Sequence, residues 1–191
     1  MARTPSNMIE IGTAAPNFNL INPLTQQTVS LEQYQGKPLL VVFSCNHCPY
    51  VLHILESFVE YSNEFIAKGL EIVMINSNDV ENYADDSPEK MVELCQTYGF
   101  KFSYLYDEDQ SAAMAYKAAC TPDFFLFNEQ HNLVYRGQYD SARPRNDDPI
   151  TGDDLRQATH ALLNNEAISE KQLPSLGCNV KWKAGNEPDA S

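Results

Sequence analysis

The sequence predicts an α/β sandwich, a central sheet of mixed parallel and antiparallel strands flanked by helices, and three observations carry that expectation. The apolar run 39–43, without alternation, has the character of a strand buried on both faces, residues 70–75 read as a second buried strand, and such strands belong to sheets covered by helices. Between them Val51, Leu52, Leu55, Phe58 and Val59 recur at helical spacing, while Glu56, Glu60, Asn63 and Glu64 take the opposite face. Further on, residues 124–127 and 133–139 flank a five-residue polar loop, which predicts a hairpin and adds antiparallel pairing.

The elements follow in order. Residues 1–16 are polar and broken by Pro5 and Pro16, so they read as an irregular lead-in. From Phe18 to Leu31 apolar positions alternate with Asn, Thr and Gln around Asn22-Pro23, a hairpin at a sheet edge. The amphipathic helix spans residues 49–68 and Gly69 stops it. The second buried strand ends in Asn76-Ser77-Asn78-Asp79. Ser87 places a capping residue before Pro88 at the first helical position, opening a helix that Gly99 closes. A strand over 102–106 and an alanine-rich helix over 110–118 precede the hairpin. Thr151 then caps a last helix through Leu163, with Asp153 and Asp154 near its positive end. Residues 165–191 carry Pro174, Gly177, Gly185 and Pro188 without periodicity and read as an extended tail.

At 191 residues and 43% hydrophobic composition, one domain over 1–191 is expected. Such a chain buries roughly 70% of its unfolded surface and needs no metal or disulfide framework. Thirteen Lys and Arg against 26 Asp and Glu give a net charge of −13, with no basic cluster, which argues against nucleic acid and anionic lipid as partners. Residues 79–110 hold nine acids and two lysines, a net of −7, read as a solvated face or, more sharply, a docking surface for a basic partner. The first twelve residues lack the apolar core of a signal peptide, and the longest aliphatic run is five residues, so a soluble, cytoplasmic, reducing setting is expected.

Five cysteines (Cys45, Cys48, Cys95, Cys120 and Cys178) are too few and too uneven for a secreted disulfide scaffold. The informative stretch is Ser44-Cys45-Asn46-His47-Cys48-Pro49, two thiols three apart between a buried strand and a helix start. A thiolate there is stabilised by unpaired amides and the macrodipole, and His47 would add to that as an imidazolium. Cys45 is expected to be the exposed nucleophile, with Cys48 one turn in, shielded, and placed to resolve a mixed disulfide. Zinc would need two further ligands, and no second pair at finger spacing exists, so no metal or other cofactor is expected. Cys95 reads as a small core hydrophobe.

The strand, the two-cysteine helix start, and Cys120-Thr121-Pro122 leading into an apolar strand resemble the thioredoxin-like superfamily in order and spacing. Residues 12–20 (GTAAPNFNL) resemble the opening of its alkyl hydroperoxide reductase and thiol-specific antioxidant branch, which includes membrane-tethered thiol reductases. Residues 174–183 (PSLGCNVKWK) resemble the ending of bacterial thioredoxin family, or redoxin-domain, proteins.

The resemblance implies a thioredoxin-like sandwich, Pro122 as a cis-proline facing the dithiol, and Thr121 offering backbone groups to an extended substrate. It also implies a place in antioxidant chemistry and cell redox homeostasis. Thioredoxin has a tryptophan before its first cysteine and a buried aspartate on the preceding strand. Here Ser44 stands first and residues 39–43 contain no carboxylate, so the buried proton acceptor is missing or comes from elsewhere. With His47 between the cysteines, the expected potential is less reducing than thioredoxin's.

The expected activity is thiol-disulfide exchange with a protein or small-molecule disulfide, recharged by an electron donor. A peroxiredoxin-like peroxidase is the alternative. Its motif needs a threonine three residues before the reactive cysteine, where Cys48 has Cys45 and Cys45 has Val42. Arg136, a candidate thiolate-stabilising arginine, reads as a surface residue. A non-catalytic module binding a metal or a partner is the third reading. Cys120 and Cys178 are possible auxiliary thiols: the tail is expected to pack back through Trp182, bringing Cys178 near Cys120 or the active pair.

Overall fold

The computed structural model describes residues 3–188. Its elements are β1 (Arg3–Pro5), β2 (Asn19–Asn22), β3 (Gln27–Ser30), β4 (Leu39–Phe43), α1 (Pro49–Ala67), β5 (Glu71–Asn76), α2 (Pro88–Tyr98) and β6 (Ser103–Tyr106). There follow α3 (Ser111–Tyr116), β7 (Cys120–Thr121), β8 (Asp123–Phe127), β9 (Leu133–Gly137), α4 (Asp153–Leu163) and β10 (Leu176–Asn179). The main sheet has seven strands in the order β3-β2-β6-β5-β4-β8-β9. β4 runs parallel to β5 and antiparallel to β8, so the mixed sheet is as the sequence predicts, and the β2–β3 hairpin lies at its edge.

Alternation along β4 divides the interior in two. Leu40 and Val42 pack with Ile54, Phe58, Tyr61 and Phe65 of α1 and Leu155 of α4. Leu39, Val41 and Phe43 pack on the other face with Ala112, Ala113 and Tyr116 of α3. Both faces are dry, which explains a strand sequence of five consecutive apolar residues. Cys95 is buried in the α1 side of the core, as a small hydrophobe should be.

Helix ends follow local chemistry with two adjustments. Ser87 Oγ accepts the Lys90 N–H at 3.4 Å and Gly99 takes the left-handed conformation (φ 64°) that ends α2. The cap of α4 is Gly152 (φ 68°), not Thr151. Asp140 carries the local hydrogen bonds instead, its Oδ2 accepting the N–H groups of Thr151 (2.8 Å) and Gly152 (2.7 Å). At α1 the helix begins at Pro49, so Cys48 is the N-cap and not a residue one turn inside.

The chain ends differ from expectation. The lead-in contains β1 and the tail contains β10, and these pair antiparallel, Arg3 opposite Cys178 and Pro5 opposite Leu176. β10 pairs in turn with β7, Cys178 opposite Thr121, giving a second sheet in the order β1-β10-β7. Trp182 packs against the α3 side of the core. Gln110 anchors the segment further: its Nε2 donates to Lys181 O (2.9 Å) and its Oε1 accepts Lys183 N–H (2.8 Å). The acidic stretch is not wholly a solvated face, since Asp79, Asp86 and Asp107 are buried. Among the described residues no helix is long and apolar enough to cross a membrane.

Candidate active site

β4 and α1 deliver the two cysteines to one point beneath the β7–β8 turn. Both are buried, Cys45 at 1% exposure and Cys48 at 0%, so the exposure the sequence suggested for Cys45 is not found. The Thr121–Pro122 bond above them is cis. Thr121 faces both sulfurs: its Oγ1 is 3.5 Å from Cys45 Sγ, and its carbonyl oxygen is 3.2 Å from Cys48 Sγ.

The strand edge that would serve an extended substrate is occupied by the chain itself. β10 lies along Thr121, and a side chain on Gly177 would put a Cβ 2.0 Å from the Thr121 carbonyl oxygen, so only glycine permits that approach. The strand carries Cys178 to the pair, with its Sγ 2.9 Å from Cys48 Sγ. Cys120 is buried on the same small sheet, but its sulfur turns to the Pro122 carbonyl oxygen at 3.7 Å. Of the two auxiliary candidates, geometry brings Cys178 to the pair.

Cys48 is lowered from the ordinary thiol value to about 5. Hydrogen bonding from the Cys45 thiol is the largest cause; it outweighs burial, which alone would raise the value, and Cys178, Thr121 and the Val51 N–H act in the same direction. Val51 belongs to the first turn of α1, so the helix N-terminus acts on its own N-cap, Cys48. Cys45 is raised well above its ordinary value, first by its hydrogen bond to Cys48, then by burial and the charge of Asp86. The two sulfurs share a proton and titrate as a pair, with Cys48 lowered and Cys45 raised. Cys178 is pushed up to about 12, by burial first and then by its hydrogen bond to Cys48.

A residue that sequence reasoning missed completes the site. Asp86, fully buried in the short 3₁₀ turn Ala84–Asp86, accepts the Asn46 N–H (2.8 Å) and the Asn78 side-chain amide (2.8 Å). Its Oδ2 lies 2.7 Å from His47 Nδ1, and the His47 ring stacks on Tyr83 at 5.8 Å. It supplies the buried carboxylate that β4 lacks, held from the carboxyl end of β5, the usual address of sites in open α/β sheets. The polar run after that strand was the legible signal; Asp86 itself was hidden in an acidic background.

Ligand atoms of Cys45, His47 and Asp86 lie within 4.8 Å of one another, a three-ligand cluster without a fourth. Both Asp86 oxygens are already committed as acceptors. Neutralising Asp86 removes a charge that raises Cys45. Asp86→Asn is therefore expected to make Cys45 more acidic, bringing a second thiolate step to lower pH in an ultraviolet titration of the reduced protein. An unmoved second step would show that the carboxylate does not act on Cys45.

Arg136, expected at the surface, is fully buried and paired with Asp123, which follows the cis-proline. Its NH2 also reaches Asp123 Oδ2 (3.1 Å), its NH1 donates to Phe124 O (3.1 Å), and its guanidinium stacks on Phe125 at 3.8 Å. Its charge is thus committed to the floor of the β7–β8 turn, which removes it as a peroxidase-type arginine. A cleft of ≈940 Å³ beside Lys68 and Gly69 at the far end of α1 carries no cysteine.

Comparisons with known proteins agree with this fold. The AhpC/TSA family model matches residues 11–136. The thiol-disulfide oxidoreductase ResA of Halalkalibacterium halodurans is 24% identical over 129 residues, 67% of this chain and 68% of that one. The crystal structure of an uncharacterized conserved protein from Geobacillus kaustophilus superposes with a TM-score of 0.95 at 45% identity, over 97% of this chain and 98% of that one. A thiol:disulfide interchange protein from Bacteroides sp. shares the fold, with a TM-score of 0.63 at 19% identity over 82% of this chain and 91% of that one.

Proposed function

The chain belongs to the AhpC/TSA family, and on that premise we propose that it is a thiol-disulfide oxidoreductase whose Cys45–Cys48 couple exchanges two electrons with a substrate disulfide. The observation that carries the reading is the Cys48 sulfur, its acidity raised by the neighbouring thiols at a helix N-terminus and set against the cis-proline loop. Exchange proceeds through attack of a thiolate on a disulfide sulfur, so the sulfur that stays ionised near neutrality is the effective one.

In this reading the Cys48 thiolate attacks the disulfide presented to it. One substrate thiolate leaves and a mixed disulfide remains. Cys45 then attacks the Cys48 sulfur, its proton goes to the departing substrate sulfur, and the enzyme is left with a Cys45–Cys48 bond. The substrate has gained two electrons, with one proton from Cys45 and the other from solvent, and a thiol donor reverses the enzyme half of the cycle. His47 lies against Asp86 beside the couple, and Thr121 of the cis-proline loop contacts both sulfurs.

The test is acid-quenched peptide mapping of the reduced protein after exposure to a disulfide and, separately, to hydrogen peroxide. The expected result is loss of two thiols mapping to Cys45 and Cys48, rapid with the disulfide and slow with peroxide. A sulfenic acid forming faster with peroxide than any disulfide would make the protein a peroxidase. Stoichiometric zinc or copper released on oxidation would make it a metal-handling protein.

A further inference from the structure

Three thiols meet at this site, and the third lines a cleft. Cys178, together with Pro49, Tyr50, Arg3, Arg143 and Arg145, borders a cleft of ≈520 Å³, within the range of small-molecule sites. Neither Cys45 nor Cys48 lines any of the clefts described among residues 3–188.

The arginines are distributed unevenly. The chain has five, at 3, 136, 143, 145 and 156. Arg136 is paired with Asp123 and Arg156 with Glu64, whereas the three at the cleft have no ion-pair partner among the described residues. Arg143 is held in place by the carbonyl oxygens of Asp140 (2.7 Å) and Ala142 (2.7 Å), which orient the guanidinium without neutralising it. The nearest buried acid, Asp140, accepts N–H groups from Ala142, Thr151 and Gly152. On a molecule of net charge −13, this is a local cationic pocket beside a thiol.

Resting on the Cys45–Cys48 couple proposed above, we infer that Cys178 relays electrons between that buried couple and an anionic low-molecular-weight disulfide, one carrying carboxylates, bound in the arginine-lined cleft. Cys178 attacks the bound disulfide as its proton passes to the Cys48 thiolate 2.9 Å away; the S–S bond of the substrate breaks, one substrate thiolate leaves, and a Cys178–substrate disulfide forms. Cys48 then attacks the Cys178 sulfur, expels the second substrate thiolate, which takes the proton, and forms a Cys48–Cys178 bond. Cys45 attacks Cys48, forming Cys45–Cys48, and its proton returns to Cys178. The sum is one disulfide reduced to two thiols and one dithiol oxidised, with no other reactant. β10 itself occupies the edge of Thr121, where a substrate strand would otherwise pair, and this favours a small substrate in the cleft over an extended peptide.

The experiment compares three disulfides of different charge as oxidants of the reduced protein: glutathione disulfide (anionic), hydroxyethyl disulfide (neutral) and cystamine (cationic). Glutathione disulfide is expected to oxidise the wild type about tenfold faster than cystamine at low ionic strength, with the gap closing toward roughly 1 M salt. Arg3→Gln with Arg145→Gln should narrow the gap several-fold. Quenched mapping of Cys45→Ser should accumulate a Cys48–Cys178 disulfide, a readout that leaves β10 unaltered. Equal rates for glutathione disulfide and cystamine, or a Cys178 thiol that stays free in Cys45→Ser, would overturn the relay. A wild type that still forms Cys45–Cys48, at the same rate as Cys178→Ser and without charge preference, overturns the relay alone. Absence of any Cys45–Cys48 bond in the wild type overturns both this inference and the couple it rests on.

Discussion

Cys48→Ser is expected to abolish reduction of substrate disulfides, lowering the rate on the order of a thousandfold or more, because it removes the sulfur that carries the charge of the couple. The reduced wild type should show one thiolate step in ultraviolet absorbance near pH 5, and Cys48→Ser should lack it. The sign of the pH dependence follows. Cys48 is an acid whose value in the fold lies below the ordinary thiol value of 9.0. Its contribution to the stability of the reduced protein is full above the ordinary value and is lost as pH falls through about 5. The midpoint potential should track this: about 59 mV per pH unit below the step, where two protons accompany two electrons, and about 30 mV above it, where one does. A slope unchanged from pH 4 to pH 8 would show that Cys48 is an ordinary thiol.

Arg136→Met is expected to destabilise the protein by about 3–5 kcal/mol and to lower the melting temperature by roughly 6–20 °C, more than any surface substitution would. The guanidinium and the Asp123 carboxylate are both fully buried, so losing one partner strands the other charge in a dry interior. Asp123 also accepts the Ala119 N–H at 3.1 Å, which ties the segment before Cys120 to the turn after Pro122. The loss should therefore loosen the loop that faces the dithiol, so activity should fall at temperatures below the new melting point. Arg136→Met combined with Asp123→Leu removes both charges and should recover much of the stability. If the single variant melts within about 2 °C of wild type, the pair is not a structural clamp.

Much of this arrangement is written locally. Leu39–Phe43 announces a strand dry on both faces, and Val51, Leu55 and Phe58 of α1 announce the face that covers it, although Leu52, expected on that face, is exposed. Ser87, Pro88 and Gly99 bound α2 within the reach of a few residues. Placing Cys48 one turn inside α1 is an error of a few residues, since it caps the helix, whereas its acidity comes first from the Cys45 thiol across the pair.

Other features have no local signature. β1 and β10 are short pieces whose pairing joins Arg3 to Cys178, and nothing in either segment alone displays an apolar face that requires a partner. Asp86 is 40 residues from the Asn46 N–H it accepts and sits among exposed acids, so the charge count that seemed silent about chemistry concealed the carboxylate beside the couple. Arg136 resembled a surface residue because a buried ion pair cannot be recognised until both members are placed.

By itself the sequence determined the sandwich and the cysteine pair at a helix start, because periodicity, capping and spacing act over one or two turns of chain; cis-Pro122 was an expectation of the family resemblance alone. Tertiary structure alone decided that both sulfurs are buried, which carboxylate stands beside them, that Cys178 Sγ lies 2.9 Å from Cys48 Sγ, and where three arginines gather. Those outcomes depend on distances across the folded molecule and on burial, which sets both the cost of a charge and the strength of its neighbours' effect.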